Sequence, residues 1–366
     1  MENWIAKRRL MERSRYWIGR GGRRSRWRKL PFAALMSVFG AAVRMTPIYA
    51  AGRRNALALK RVDFDLSFSA LPPSFDGYRI LHVSDPHLDY FPELAVAARD
   101  LLGDLEVDML AVTGDIHGNH RAPIERSAGL LTEALAGIKV LGPRLAVLGN
   151  HDPADMVGVM EEVGFEVLVN RSLVVRRAGE NLRVTGLDDV NSFYTEAARA
   201  ALHDHDDEFR IALVHSAEVA DDADEAGYSL YLCGHTHGGQ ICLPGGRPVV
   251  THLKRCRHAA RGLWRQGGMT GYTSCGLGVS DLPVRFNTRG EVALITLRKA
   301  PTASGACGTS ARTRRRPRAF WFTSRNRLQL KRWSRRAAAT TSHLSPLYDF
   351  QDLGGGRTTQ GHALPF

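Results

Sequence analysis

Five polar clusters between residues 85 and 237 hold the side chains best suited to chemistry in this 366-residue chain. They read Asp85-Pro86-His87, Gly114-Asp115, Gly149-Asn150-His151-Asp152, His215, and Gly234-His235-Thr236-His237. Carboxylate, carboxamide and imidazole together make a donor set that suits Mn, Fe, Zn or Co, and the lack of a thiolate argues against a purely structural zinc site. Taken singly, each cluster has a plain structural reading. Asp85 would cap a strand-end turn, Asp152 a helix beginning near Ala154, and His215 would be an ordinary strand-end histidine. The ordered set is another matter, because each cluster directly follows an apolar run, where a strand ends and its loop begins. Functional sites of open α/β folds gather at that edge.

The elements that must position these side chains are legible in outline. Strands are expected at Arg79–Ser84, Asp108–Thr113, Arg144–Leu148, Leu182–Gly186, Ile211–Val214, Ser229–Cys233 and Val292–Leu297, all short and rich in Val, Ile and Leu. Between them, Glu93–Leu102, Ile124–Ile138 and Ala154–Val163 carry apolar residues at three- and four-residue spacing, the pattern of helices with one buried face. Alternating runs of this kind indicate a layered α/β domain, expected to span residues 53–299. Asp85 and His87, two residues apart on an extended segment, would point to the same side.

The net charge of +13 sits at the ends of the chain. Residues 1–30 carry +9 and residues 301–366 carry +10, which leaves −6 on the segment between. An acidic body with basic ends argues against a nucleic-acid groove in the fold, although either end could still touch nucleic acid or an anionic membrane surface. Residues 1–52 read as a basic leader with the short apolar run Leu30–Val43, a possible anchor or signal in which Arg23-Arg24 faintly resembles a twin-arginine signal. Residues 300–366, with Arg314-Arg315-Arg316 and Gly354-Gly355-Gly356, read as a basic tail of disordered composition. The five cysteines form no Cys-x-x-Cys pair, so neither a disulfide framework nor a zinc finger is expected, and Cys233 reads as a small core residue.

On these motifs the sequence resembles the calcineurin-like metallophosphoesterase family from about Arg79 to Leu297. The Gly-Gly-Gln after His237 and the stretch Gly276–Phe286 resemble a bacterial, often membrane-associated branch of it. The resemblance implies a four-layer α/β/β/α sandwich of two mixed sheets flanked by helices, with two divalent metal ions at one edge. It implies Asp85, His87 and His237 on one metal, Asn150, His215 and His235 on the other, and Asp115 bridging both. His151 would contact the substrate phosphate and protonate the leaving group. Family members often carry a further Asp three residues after the bridging one, where this chain has Gly118. Asp89, His117 and His120 lie near the motifs and are expected as solvent-facing loop residues.

The expected activity is a phosphodiesterase or pyrophosphatase acting on a lipid-linked or UDP-sugar-lipid substrate, by in-line attack of a metal-bound hydroxide. The alternatives are a nuclease or general phosphodiesterase and, from another class, a metal-stabilised binding scaffold without turnover. Membrane association is the expected location, with cytoplasmic or exported forms as alternatives. The sequence leaves the metal identity and the oligomeric state open.

Overall fold

A computed structural model describes residues 2–17, 40, 42, 44–203, 209–280 and 282–301. Most of the apolar run Leu30–Val43, the pair Arg23-Arg24, Asp281, Cys307 and the basic tail from 302 onward lie outside the described residues.

Two six-stranded sheets face each other. The first has the order β1 (Lys60–Phe68), β16 (Glu291–Lys299), β2 (Arg79–Val83), β4 (Met109–Thr113), β6 (Arg144–Val147), β7 (Glu166–Val167). The second runs β14 (Gly262–Gln266), β15 (Met269–Thr273), β11 (Leu230–Cys233), β10 (Phe209–Leu213), β9 (Glu180–Gly186), β8 (Arg171–Arg177). Two small pairs, β3 (Glu106–Val107) with β5 (Lys139–Val140) and β12 (Cys242–Leu243) with β13 (Arg247–Pro248), complete the strands among the described residues. The central strands pair in parallel, β2 with β4, β4 with β6, β9 with β10 and β10 with β11, so their C-terminal ends share one edge. Strand β16 runs antiparallel to β2.

The alternation of side chains along each strand builds the layers. Ile80, Met109, Leu145, Val184, Ile211 and Leu230 point between the sheets and form a shared core. Leu81, Val83, Leu110 and Ala146 point outward, under α3 (Glu93–Leu102), α4 (Ile124–Ala134) and α5 (Met156–Glu162). On the far side Ala212, Val214 and Tyr231 lie under α6 (Glu196–His203) and α7 (Ala220–Glu225). The result is the expected α/β/β/α sandwich. Strands covered on both faces read as continuous apolar runs, which is why the sequence marks them so clearly.

The described residues ahead of the sheets include two long helices, α1 (Glu2–Trp17) and α2 (Pro47–Leu57). The latter straddles residue 52, where the leader was expected to end, and packs onto the body. Gly52 O accepts from the Arg285 N–H at 3.0 Å, and the Asn55 side chain donates to the Arg285 carbonyl at 3.1 Å. Among the described residues no helix is long and apolar enough to cross a membrane.

Candidate metal centre

The loops leaving β2, β4, β6, β10 and β11 bring the predicted side chains together at the shared strand edge. Asp85, His87 and His237 form one buried group of donor atoms, and Asp115, His215 and His235 form another, each with its atoms within 4.8 Å of one another. Asp115 lies between the two: its Oδ2 is 3.4 Å from His87 Nε2 and 3.3 Å from His215 Nε2. Asn150 joins the second group, with Oδ1 3.2 Å from His215 Nε2. All seven expected ligands therefore converge on one site.

The backbone turns sharply to do this. Asp85, His87, Asp115, His235 and His237 all have φ between 39° and 69°, a region that costs a non-glycine residue free energy. Asp85 and His87 thus reach one side through left-handed turns, where an extended segment was expected. Two glycines of the motifs exist to leave space: a Cβ at Gly149 would overlap the Asp115 carboxylate, and one at Gly234 would overlap that of Asp85.

Hydrogen bonds fix the orientation of the imidazoles. His87 donates from Nδ1 to the His117 carbonyl at 3.1 Å, and His215 from Nδ1 to the Thr113 carbonyl at 2.8 Å. In each ring the Nδ1–H bond to a carbonyl turns Nε2 toward the cluster. His87 Nε2 is buried without a hydrogen-bond partner, a cost that a cation would remove, and His237 Nε2 lies 3.5 Å from Asp85 Oδ1. His215 Nε2 also sits 3.1 Å from His235 Nδ1. The residues present therefore fit a pair of divalent ions.

Burial lowers His87 and His215, but the Asp115 carboxylate outweighs it and raises both, His215 strongly. Burial raises the Asp115 carboxyl, but the His215 and His151 imidazoles outweigh it and hold it well below its usual range. Burial pushes the Asp85 carboxyl up against the pull of His215. Burial and the neighbouring His215 lower His235 to about 3; burial, with His87 adding to it, takes His237 well below its ordinary value. Both rings are thus neutral at pH 7, the form that binds a metal.

His151 stands apart from both donor groups. Its N–H donates to Asp115 Oδ1 at 2.8 Å, and its ring stacks on His120 at 5.4 Å between centroids. A cleft of about 230 Å³ opens beside it, lined by Glu12, His120, Asn150, His151, Asp152, Pro153 and Phe193.

Several local expectations are corrected. Asp89 and His117, expected to face solvent, are buried: Asp89 accepts from the Gly118 and Asn119 N–H groups and pairs with His117 at 3.4 Å. Only His120 is exposed. Asp152 caps no helix; it accepts from the His117 and Gly149 N–H groups at 2.9 and 2.8 Å and so ties two ligand loops together. Gly118 has a steric reason, since a Cβ there would overlap the Tyr90 ring and His87 Nδ1. A larger side chain has no room there. Cys233 is fully buried, as expected.

Arg285 went unnoticed in the sequence as a site residue. It is fully buried and donates to the carbonyls of His237, Cys275, Gly276 and Gly278 at 2.6–3.2 Å, bracing the loops that carry His237. An arginine in an apolar, glycine-rich stretch was the available signal.

Comparison with known proteins places these observations in a family. Residues 78–239 match the family model for calcineurin-like phosphoesterases. The chain is 30% identical over 251 residues to the uncharacterized metallophosphoesterase YkuE of Bacillus subtilis, covering 66% of this chain and 86% of the relative. It is 25% identical to the phosphodiesterase YaeI of Escherichia coli (60% and 82% covered) and 27% identical to a transmembrane protein with metallophosphoesterase domain of Danio rerio (66% and 58% covered). Sharing most of the length of a bacterial metallophosphoesterase, with a set of donors that fits its metals, the chain belongs to the calcineurin-like metallophosphoesterase family and is a hydrolase of phosphoric esters.

Proposed function

We propose that this hydrolase is a dinuclear phosphodiesterase or pyrophosphatase that acts on a lipid-linked or UDP-sugar-lipid substrate at a membrane surface. The observation that carries the dinuclear reading is the position of Asp115 Oδ2, 3.4 Å from His87 and 3.3 Å from His215, between two complete donor groups. Asp85, His87 and His237 would hold one ion, Asn150, His215 and His235 the other, and Asp115 both. Such a pair neutralises the anionic oxygens of a phosphodiester and acidifies a water.

The chain's own residues do the rest. The His117 and Thr113 carbonyls hold Nδ1 of His87 and His215 and so turn Nε2 toward the cluster. The His151 N–H holds Asp115 Oδ1, leaving Oδ2 for the cluster. The His151 side chain, in neither donor group and on the wall of the cleft, is placed to give a proton to the leaving oxygen.

The lipid-linked substrate is supported by the basic, partly apolar leader and by the names of two relatives, a phosphodiesterase and a transmembrane protein with a metallophosphoesterase domain. The test is hydrolysis of bis-p-nitrophenyl phosphate, monoesters and UDP-linked lipids with Mn, Fe, Zn and Co in turn. Turnover of the diester with two metals bound, and a preference for the lipid-linked pyrophosphate, is the expected result. Metal binding without turnover on any ester would make the protein a scaffold, and activity restricted to nucleic acid would make it a nuclease.

A further inference from the structure

The first helix of the chain belongs to the catalytic cleft. We propose that Arg8, on α1, is a positioning residue that holds the loop carrying Asn150 and His151; the proposal rests on the roles given to those two residues above.

Arg8 is only 1% exposed, although it sits in a leader whose composition suggests a solvent- or membrane-facing extension. Its Nη2 donates to the Asp152 carbonyl at 3.1 Å and approaches the Gly149 carbonyl at 3.5 Å. Those two carbonyls bracket Asn150 and His151. On its other side Nε lies 3.2 Å from Asp188 Oδ2, and the guanidinium carbon sits 3.2 Å from the centre of the Phe193 ring.

Asp188 and Phe193 follow β9 of the second sheet, whereas Gly149 and Asp152 follow β6 of the first. Arg8 therefore ties the two sheets together across the cleft. Its neighbours on α1 repeat the pattern: the Trp4 indole donates to Asp188 at 3.1 Å, Glu12 accepts from the Ala154 N–H at 2.9 Å, and Arg9 pairs with Asp155.

A guanidinium suits this post. A buried cation is costly unless it is paired, and a planar guanidinium sets Nε beside the Asp188 carboxylate while Nη2 reaches two carbonyls, which an ammonium cannot do in the same geometry. The loop so held must keep Asn150 Oδ1 against His215 and the His151 N–H on Asp115. A displacement of about 1 Å in such a group costs on the order of a hundredfold in rate.

The experiment compares full-length Arg8→Ala, Arg8→Lys and Arg9→Ala with the wild type on bis-p-nitrophenyl phosphate and Mn. Arg8→Ala is expected to lower kcat about tenfold to a hundredfold while KM stays within about threefold, with partial recovery on adding millimolar guanidinium. Arg8→Lys should recover little, and Arg9→Ala, which removes an exposed ion pair, should match the wild type. Amide hydrogen exchange at residues 149–153 should quicken in Arg8→Ala in a protein that otherwise keeps its exchange pattern. Unchanged kcat with unchanged exchange, a loss seen only in KM, or an equal loss in Arg9→Ala would each overturn the proposal. If the wild type hydrolyses no ester, the functional reading fails, and the exchange comparison still decides whether Arg8 holds the loop.

Discussion

The backbone N–H of His151 donates to Oδ1 of Asp115 at 2.8 Å, so the residue proposed to protonate the leaving group is tied through its main chain to the carboxylate that lies between the two donor groups. Main-chain and side-chain roles of His151 can therefore be separated by substitution, because a side-chain change leaves the N–H in place.

His151→Ala should lower kcat by about a hundredfold or more, the scale of a lost general acid, while two metals per chain remain bound. Metal analysis beside steady-state kinetics checks this. Loss of metal in the variant would show that the ring is a ligand.

Asp115→Asn should lose metal and activity together, since a neutral carboxamide compensates two dications poorly and the carboxyl it replaces is held strongly in its ionised form by His215 and His151. Titration of the metal-free variant with Mn is the direct measurement. Full occupancy with retained turnover would remove Asp115 from the bridging position.

His82 gives the fold a pH dependence of its own. Its ring is fully buried, with Nε2 2.8 Å from the Thr113 hydroxyl, and burial lowers its pKa to about 3. The unfolded value is about 6.5, so between these limits the unfolded chain holds a proton that the folded chain does not, and stability falls as the pH drops. From pH 7 to 5 the loss is about 2 kcal/mol. His82→Gln keeps a polar partner for Thr113 and removes this contribution. Urea unfolding at pH 7 and pH 5 should show that much less acid loss in the variant; equal losses in both proteins would assign the effect elsewhere.

Gly52→Ala tests whether α2 is part of the folded body. The added Cβ would lie 2.6 Å from Val284 Cβ and 2.7 Å from Phe286 Cζ, and overpacking of this kind costs about 1–3 kcal/mol. A lowered melting temperature is expected. An unchanged one would show that the helix lifts away freely.

The sequence made the site easier to read than the fold. Each ligand cluster follows a strand buried on both faces, so an apolar run announced it, and Glu93–Leu102 was recovered to the residue because its apolar stripe is complete. Edge strands were missed. Lys60–Phe68 and Arg171–Arg177 pair with one neighbour each and are half exposed, so they carry charges where a central strand carries Val and Leu. The contacts of Arg8 and Arg285 were out of reach for another reason: each depends on carbonyls brought close only by the finished fold. The burial of Asp89 and His117 was hidden in the same way, since a polar loop reads as exposed until another loop covers it.

The antiparallel run of β16 against β2 has a practical consequence. Because β2 ends at the metal edge, β16 starts there, with the Glu291 N–H on the Gly276 carbonyl, and finishes at the opposite pole, where the Lys299 N–H meets Asp76. The polypeptide thus leaves the described fold at the end of β16 opposite the metal edge, while Arg8 and Glu12 of α1 bond the loop that carries Asn150 and His151. A fusion partner or affinity handle joined at residue 301 would attach at the strand end opposite the metal edge, whereas one joined ahead of residue 2 would load the helix that carries Arg8.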